Sequence, residues 1–228
     1  MPNQSKGGFF NPGVTVDVVV FTIENGLLKI LLVKRSDDPF KGFPALPGGF
    51  IRRGETTHEA AERVLKDKAG IENVYVEQLY TFDEVRRDPR GQVLSVSYFA
   101  LVPSEDLSIR LGRKTEHPEM VAADGLPALA FDHNRIVVYS RKRLADKIRY
   151  SNVAYSLLPS EFTLTELQKI YETVLGRRID KRNFRKKYLE LGLIKSAGKK
   201  RKGLRQRPAL LYRFVNSRME EMDRFLKQ

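Results

Sequence analysis

A segment bracketed by glycines constrains the fold of this chain more than any other stretch. It opens with the pair Gly48-Gly49 and continues into Thr57–Lys68, where apolar and small residues recur at the spacing of an amphipathic helix. Gly70 follows, and glycine is the residue type that most often ends a helix in a left-handed conformation. The segment therefore predicts a loop, then a helix, then a sharp stop.

This segment resembles the sequence box of the Nudix hydrolases. That box reads Gly, five residues, Glu, seven residues, then Arg-Glu-apolar-x-Glu-Glu-x-Gly-apolar. Its frame is present here, because the fixed positions fall on Gly49, Glu55, Arg63, Gly70 and Ile71. The resemblance implies that Glu55 and Arg63 form a structural ion pair that ties the loop to the helix.

The part of the box that would bind a metal is altered. Its three later glutamates fall on Val64, Asp67 and Lys68, which share one helical face through their i+3 and i+4 spacing. A hydrolase of this kind needs carboxylates there, because Mg²⁺ takes oxygen ligands and neutralises charge on a diphosphate. One carboxylate beside an ammonium does not meet that need. The sequence therefore predicts that the protein is not an enzyme and has no catalytic residues, no metal site and no cofactor.

The distribution of charge predicts two domains with different tasks. The 228 residues carry a formal charge of +13. Residues 151–228 hold 19 Lys and Arg against 8 Asp and Glu, whereas residues 1–150 hold 22 against 20. A basic domain at 151–228 indicates a polyanionic partner, and a near-neutral domain at 1–150 indicates another role. No cysteine and no membrane-spanning apolar run occur, so we expect a cytoplasmic protein without disulfides or membrane contacts.

The front domain carries strand patterns on both sides of the box. Strands are predicted over 14–23, 27–33, 74–83 and 94–102, with turns at Asn25-Gly26 and Asp88–Gly91. A helix is predicted over 134–148, with Asp132 as its N-cap. We expect His133 to make structural hydrogen bonds rather than to catalyse.

The loop before the box is the candidate ligand site. In Nudix folds this loop borders the ligand cleft, so the resemblance implies that Arg35, Phe40 and Phe43 grip a phosphate and an aromatic base. The two phenylalanines could equally be ordinary loop anchors. The predicted ligand-binding residues are Arg35, Phe43, Gly48, Gly49, Phe50, Arg53, Arg63, Arg87 and Tyr98.

The C-terminal domain has the pattern of a helix-turn-helix. Thr163 and Glu166 form a capping box that opens one helix, and Gly176 ends it. Asp180 then caps a second, strongly basic helix that Gly192 closes. Two short helices in this arrangement indicate that the second is a DNA recognition helix.

A basic hairpin follows the second helix. Residues 195–207 contain seven basic and no acidic residues, and 209–215 has the pattern of a return strand. We interpret the hairpin tip as a wing that contacts phosphates, the alternative being a solvated loop. Ser217 and Glu220 form a further capping box, which predicts a terminal helix. The predicted DNA-binding residues are Lys181, Arg182, Asn183, Arg185, Lys186, Lys187, Lys199, Lys200, Arg201, Lys202, Arg205 and Arg207.

Three segments together narrow the resemblance beyond Nudix proteins in general. These are FDEVRRDPRGQVLSVSYFALV at 82–102, LPALAFDH at 126–133, and the segment from Ser156 to Ile194. With the altered box they resemble the NrtR family, Nudix-related transcriptional regulators of bacteria. The resemblance implies an α+β protein, in which a Nudix-like α/β/α sandwich precedes a winged helix-turn-helix domain.

The same resemblance implies a repressor of NAD metabolism genes that binds double-stranded operator DNA and responds to ADP-ribose or a related nucleotide sugar. A helix-turn-helix reads one half-site, so we expect a homodimer with recognition helices about 34 Å apart. Two alternatives stay open. One is an active Nudix hydrolase, an ADP-ribose pyrophosphatase, with an accessory nucleic-acid-binding domain; the other is a sugar-responsive regulator of a pentose catabolic operon.

Overall fold

The computed structural model describes residues 10–107, 116–201, 208–216 and 218–222, and the chain forms two compact units. The first unit comprises residues up to Phe21, Ile30–Ala100 and the segment that ends at Ser140. The second comprises Thr22–Lys29, Leu101–Leu107 and the chain from Arg141 onward. The units are therefore not simple consecutive halves, and a domain boundary at residue 150 stays a prediction.

A seven-stranded sheet is the centre of the N-terminal fold. Strand β1 lies in its middle and is buried continuously from Thr15 to Thr22, which indicates that both faces of the strand are covered. The main strand order is β3-β2-β1-β6-β5, while β4 pairs with β1 and β7 pairs with β2. The strands are β1 Gly13–Glu24, β2 Leu27–Lys34, β3 Pro44–Ala45, β4 Gly48–Phe50, β5 Tyr75–Phe82, β6 Val93–Leu101 and β7 Glu116–Ala122.

Two helices accompany this sheet, α1 at Thr57–Ala69 and α2 at His133–Lys147. The Thr56 side chain accepts a hydrogen bond from the Glu59 backbone amide, and the Glu59 side chain accepts one from the Thr56 backbone amide. These two bonds form a capping box at the start of α1. Gly70 ends α1 with a φ of 65°, as its sequence predicts. Helix α1 buries Ala60, Ala61, Val64, Leu65 and Ala69. The helices predicted over 57–68 and 134–148 and the four predicted strands are thus confirmed, with ends shifted by one or two residues, whereas β3, β4 and β7 were not predicted.

The second unit holds a winged-helix arrangement. Its elements are a 3-10 turn at Val153–Leu157, α3 Leu164–Leu175, α4 Lys181–Glu190, β8 Ile194–Arg201 and β9 Ala209–Phe214. The rings of Tyr171, Phe184 and Tyr188 meet at centroid distances of 5.2 to 5.9 Å and join α3 to α4. Two hydrogen bonds link Phe162 to Tyr212, so the chain before α3 pairs with β9.

The basic hairpin and the C-terminal segment differ from expectation. Strand β8 runs through Lys199, Lys200 and Arg201, so these residues lie in a strand and not in the hairpin tip. Lys202, Arg205 and Arg207 lie outside the described residues. The C-terminal helix predicted from Ser217 is wrong over 218–222, which are not helical.

The reason for the missing helix lies in hydrogen bonds to a distant segment. The Asn152 side chain donates to the Arg218 carbonyl and accepts from the Glu220 amide, while the Met222 amide donates to the Tyr150 carbonyl. Backbone groups used in this way cannot form helical hydrogen bonds.

Within the described part of the chain, no helix has the length and apolar character to cross a membrane.

Candidate effector cleft and nucleic-acid interface

A polar cleft opens in the first unit beside β4. It is bordered by β1, by the loop after β2, by the turn at residues 87–90 and by the residues that precede α2. The sequence brings these elements together because β4 pairs with β1, with Asp17 opposite Gly48 and Val16 opposite Gly49. The lining residues are Thr15, Asp17, Arg35, Asp37, Asp38, Leu46, Gly48, Gly49, Phe50, Arg87, Asp88, Arg90, Phe131 and His133.

Gly48 allows an unusually close approach within this cleft. A Cβ at Gly48 would lie 2.1 Å from the Asp17 Oδ1 and 2.9 Å from the Val16 carbonyl oxygen, so only glycine fits there. A Cβ at Gly49 would lie 3.6 Å from Val64, which is an ordinary contact. The first glycine thus lets the chain cross directly over a buried carboxylate.

That carboxylate belongs to a buried network of charges. Asp17 accepts a 2.6 Å hydrogen bond from Ser95 and lies 3.5 Å from Arg87, which also donates to both carboxylate oxygens of Asp132. Burial works against the Arg87 charge, but the hydrogen bond to Asp132 and the negative charge of Asp17 outweigh burial and raise the Arg87 pKa. Arg87 therefore stays ionised while bridging two acids.

His133 completes the network as a neutral imidazole. Burial lowers its pKa, and its Nδ1 accepts a 3.0 Å hydrogen bond from the Leu46 amide, which requires an unprotonated Nδ1. Its Nε2 lies 3.5 Å from the Asp17 Oδ1 and can donate to it. His133 is thus a structural residue that holds the loop before Gly48, as predicted. Asp132 lies just before α2, and its carboxylate binds Arg87.

Two arginines share an aromatic ring at the mouth of the cleft. The guanidinium carbon of Arg35 lies 4.7 Å from the centroid of the Phe131 ring, and that of Arg90 lies 5.7 Å from it. Arg90 is neutralised by two hydrogen bonds to Asp88, whereas the partners of Arg35 among the described residues are the backbone carbonyls of residues 37 and 39. Burial, and then the charge of Arg90, lower the Arg35 pKa. A group held in this environment gains from an anion, so the cleft mouth suits a phosphate.

The altered box has the geometry expected of its sequence. Arg63 donates to both oxygens of Glu55, at 2.5 and 2.9 Å, and this hydrogen-bonded pair lowers the Glu55 pKa to about 2. Val64 is buried under Gly49, and Asp67 lies 3.9 Å from Arg52. Among the described residues, no group of three His, Asp or Glu side chains could hold a metal ion. The residues of this face therefore do not fit a Mg²⁺ ion.

The structure brings together five of the predicted ligand-binding residues. Arg35, Gly48, Gly49, Phe50 and Arg87 all line the cleft. Sequence reasoning missed Asp17, Asp88, Arg90 and Phe131. Arg90 lies in the predicted turn at Asp88–Gly91 and Phe131 in the segment 126–133, but nothing local in the sequence indicates that both reach Arg35.

The other four predicted residues do not line this cleft. Phe43 packs edge-on against Phe40, with ring centroids 5.9 Å apart, and Arg53 is exposed. Arg63 is held by Glu55 and by the Phe50 carbonyl, and the buried Tyr98 hydroxyl lies 2.8 Å from that of Thr57. A role in ligand binding for Phe43, Arg53, Arg63 and Tyr98 stays a prediction.

Helix α4, the predicted recognition helix, has one buried and one cationic face. Phe184 and Tyr188 are buried, while the predicted DNA-binding residues Lys181, Arg182, Asn183, Lys186 and Lys187 are exposed. The Asp180 side chain accepts from the Asn183 amide and starts the helix, which leaves the Asn183 side chain free of capping. Arg185 instead donates to the Thr165 hydroxyl on α3, so it connects the two helices.

The cations of the wing strand β8 differ in their ion pairing. Lys199 lies 3.0 Å from a carboxylate oxygen of Glu161, and Arg201 pairs with Glu166 and donates to the Glu161 carbonyl. Lys200 is exposed and has no ion pair within the described part of the chain. Of the three, Lys200 is therefore the cation most available to a phosphate.

Comparison with known proteins covers both parts of the chain. The family model of the NUDIX domain matches residues 12–140, and the model of the NrtR DNA-binding winged helix domain matches residues 154–214. A relative from Acinetobacter baylyi, named "ADPR responsive transcriptional repressor NtrR", is 38% identical over 219 residues, 94% of this chain and 87% of that protein. The chain belongs to the NrtR family.

Solved structures agree with this assignment. NrtR of Shewanella oneidensis complexed with a 27mer DNA is 37% identical, with a TM-score of 0.80 over 88% of this chain and 93% of that one. The NUDIX domain of the same NrtR, complexed with ADP ribose, is 36% identical, with a TM-score of 0.55 over 62% of this chain and 94% of that one. The predicted α+β fold, a Nudix domain followed by a winged helix, is confirmed.

An enzyme is also among the relatives of this NrtR family member. The ADP-ribose pyrophosphatase of Methanocaldococcus jannaschii is 38% identical over 129 residues, which are 57% of this chain and 73% of the enzyme. The likeness spans only part of this chain, so overall similarity of the Nudix part does not by itself separate a sensor from a hydrolase.

Proposed function

We propose that this protein is a bacterial transcriptional repressor that binds operator DNA through α4 and the wing. It responds to nucleotide sugars of the ADP-ribose type, with ADP-ribose itself as the effector. The observation that carries the proposal is the union, in one chain, of an arginine-bearing cleft with a cationic recognition helix. The family resemblance supports genes of NAD synthesis or salvage as its targets.

The cleft chemistry supports a nucleoside diphosphate as effector. Within the described residues the Arg35 guanidinium donates to backbone carbonyls and to no carboxylate, so it can still form charge-assisted hydrogen bonds with a diphosphate. Phe50 lines the same cleft and is 47% exposed, so its ring is accessible to an adenine base. A thermal-shift screen with ADP-ribose, NAD, nicotinamide mononucleotide and arabinose tests this. A ligand at a hundredfold excess over its Kd adds about 2.7 kcal/mol of stability. A response to arabinose alone would instead support a pentose-responsive regulator.

We propose further that the effector is bound without being hydrolysed. Support comes from the box face, where Val64 is buried, Asp67 faces Arg52 and Lys68 is cationic. The competing function is an ADP-ribose pyrophosphatase, which the relative from Methanocaldococcus jannaschii makes a specific alternative. Purified protein with Mg²⁺ or Mn²⁺ should release no AMP from ADP-ribose. Turnover at roughly 1 to 1000 per second, the usual range for enzymes, would favour the hydrolase.

A homodimer is part of the proposal, because one recognition helix reads one half-site. The first unit offers a surface for it. Strand β5 ends the main strand order, and beside it the rings of Tyr80, Phe82 and Tyr139 cluster with centroids 5.1 to 6.0 Å apart. Val138, next to Tyr139 in sequence, is 69% exposed, and Tyr80 and Tyr139 are 51% and 43% exposed. A group of exposed apolar side chains favours association.

Light scattering of the wild type and of Val138→Asp tests the dimer surface. We expect a dimer for the wild type and a monomer for the variant at the same concentration. Leu27→Asp is a control, because Leu27 is also exposed, at 54%, but lies outside the cluster. A wild-type monomer that still saturates operator DNA would contradict the dimer, and a dimeric Val138→Asp would contradict this surface.

A further inference from the structure

A small side cavity adjoins the effector cleft and is distinguished by its charge. Its volume is about 70 Å³, and Arg35, Asp37, Leu46 and Gly48 line both the side cavity and the cleft. Lys68 of α1 lines the side cavity but not the cleft. The two spaces therefore share part of their lining, and the side cavity adds Lys68 to it.

The side cavity has more cations than its own residues can neutralise. Lys34, Arg35 and Lys68 all line it, and Asp37 is the carboxylate among its lining residues. Asp37 accepts a hydrogen bond from the Ser36 hydroxyl, and its backbone carbonyl accepts one from Arg35. Neither Lys34, Arg35 nor Lys68 has an ion pair within the described part of the chain. Three cations around a space of this size make a site for an anion with several oxygens, such as a phosphate group.

Lys68 differs in this respect from its neighbour on the same helix. Lys66 lies 2.6 Å from Glu72, is 65% exposed, and lines a separate cavity on the other side of α1. The acid closest in sequence to Lys68, Asp67, is oriented towards Arg52. Lys66 and Arg52 thus have carboxylate partners, whereas Lys68 has none within the described residues.

We propose that the side cavity is a phosphate subsite, in which Lys68 and Arg35 contact the diphosphate of a nucleotide sugar bound in the cleft. This inference rests on the proposed function and identifies what recognises the charged part of the effector. Because the protein supplies the cations itself, binding needs no divalent metal. Lys68 then acts as a binding residue at a position of the box where a hydrolase would require a carboxylate.

Calorimetric titration of the full-length protein in EDTA tests the subsite. The variants are Lys68→Met, which removes the charge, Lys68→Arg, which keeps it, and Lys66→Met, which removes an equal charge from the same helix. With ADP-ribose we expect Lys68→Met to bind at least tenfold more weakly, Lys68→Arg to stay within threefold and Lys66→Met within twofold of the wild type, because a charge-assisted contact is worth roughly tenfold or more. Wild-type affinity should be equal in EDTA and in Mg²⁺. Melting of each variant without ligand checks that it is folded.

Inorganic pyrophosphate and AMP serve as second probes and separate this inference from the identity of the effector. If ADP-ribose binds but Lys68→Met matches the wild type, or if Lys66→Met loses as much, the subsite is refuted and the effector stands. If ADP-ribose does not bind but pyrophosphate binds in a Lys68-dependent manner, the subsite stands and the proposed effector is refuted. Binding of AMP as tight as that of ADP-ribose would assign the subsite to a terminal phosphate and overturn the diphosphate. Binding of none of these probes would refute both proposals.

Discussion

Replacing Gly48 by alanine tests how closely the effector cleft is packed. The new methyl group would lie 2.1 Å from the Asp17 Oδ1 and 2.9 Å from the Val16 carbonyl, so either β4 or Asp17 has to move. Forcing an extra methyl into a packed site costs about 1 to 3 kcal/mol. Displacing Asp17 also weakens its hydrogen bond from Ser95, and bonds to buried charges are worth about 1.5 to 3 kcal/mol each.

Together these terms predict that Gly48→Ala lowers the free energy of unfolding of the first unit by about 2 to 4 kcal/mol. Gly49→Ala is the matched control, since its methyl group would make an ordinary 3.6 Å contact with Val64. Gly49 also pairs with β1, and alanine restricts the unfolded chain, so its change in stability should stay within about 1 kcal/mol of zero.

Urea denaturation followed by circular dichroism, without ligand, measures both variants. Because the protein has two units, the transition of the first unit is followed separately by thermal shift with and without ADP-ribose. Equal stability of Gly48→Ala and Gly49→Ala would refute the close approach of Asp17 to β4. A loss confined to Gly49→Ala would refute it as well.

Three further outcomes follow from the charges. Because burial lowers the His133 pKa, the unfolded chain takes up this proton at a higher pH than the folded protein, and the free energy of unfolding should fall by up to about 1.4 kcal/mol per pH unit as pH drops below roughly 6.5. In His133→Asn the urea midpoint should depend less on pH between pH 7 and 5. An unchanged pH dependence would argue against a buried neutral imidazole. Glu166→Gln removes the ion pair of Arg201, so this cation becomes available to DNA and binding should tighten. In fluorescence anisotropy, the slope of log affinity against log salt concentration should steepen by about one unit. An unchanged slope would contradict this. Asn183→Ala should blur preference at one operator position, at about 1 to 3 kcal/mol, whereas Lys200→Ala should weaken all DNA alike; identical, uniform losses would refute that division.

Local signals account for the elements that the sequence predicts well. Helix α1 begins at a capping box and ends at Gly70, and α3 begins at a second capping box and ends at Gly176. Each of these signals lies within four residues of the helix end that it determines, so no tertiary contact is needed to find it. The hairpin of β1 and β2 is predictable for the same reason, since its turn is Asn25-Gly26.

Contacts between distant residues account for what the sequence does not predict. Strands β3 and β4 are two and three residues long and exist because they pair with β2 and β1. The cleft depends on Arg87 reaching Asp17, 70 residues away in the chain, and on the convergence of Arg35 and Arg90 at Phe131. The helix predicted from Ser217 is absent over 218–222 because Asn152 binds the backbone of residues 218 and 220.

The side cavity illustrates the same limit. The sequence identifies Lys68 as a residue that disrupts a metal site, which is a statement about what is absent. Only the fold brings Lys68 to the cavity that Arg35 also lines, where an ammonium in place of a carboxylate can contact a phosphate.

The central claim is that one protein couples an unhydrolysed effector to DNA binding. A DNA duplex selected with the full-length protein from a random-sequence pool provides the operator, and fluorescence anisotropy measures its affinity while ADP-ribose is titrated in Mg²⁺ buffer. We expect ADP-ribose to change the DNA affinity by about 5- to 150-fold, the usual range of allosteric coupling, and chromatography of the same samples to recover it intact. Unchanged DNA affinity at ADP-ribose concentrations that saturate the cleft, or conversion of ADP-ribose to AMP at an enzymatic rate, would contradict the claim.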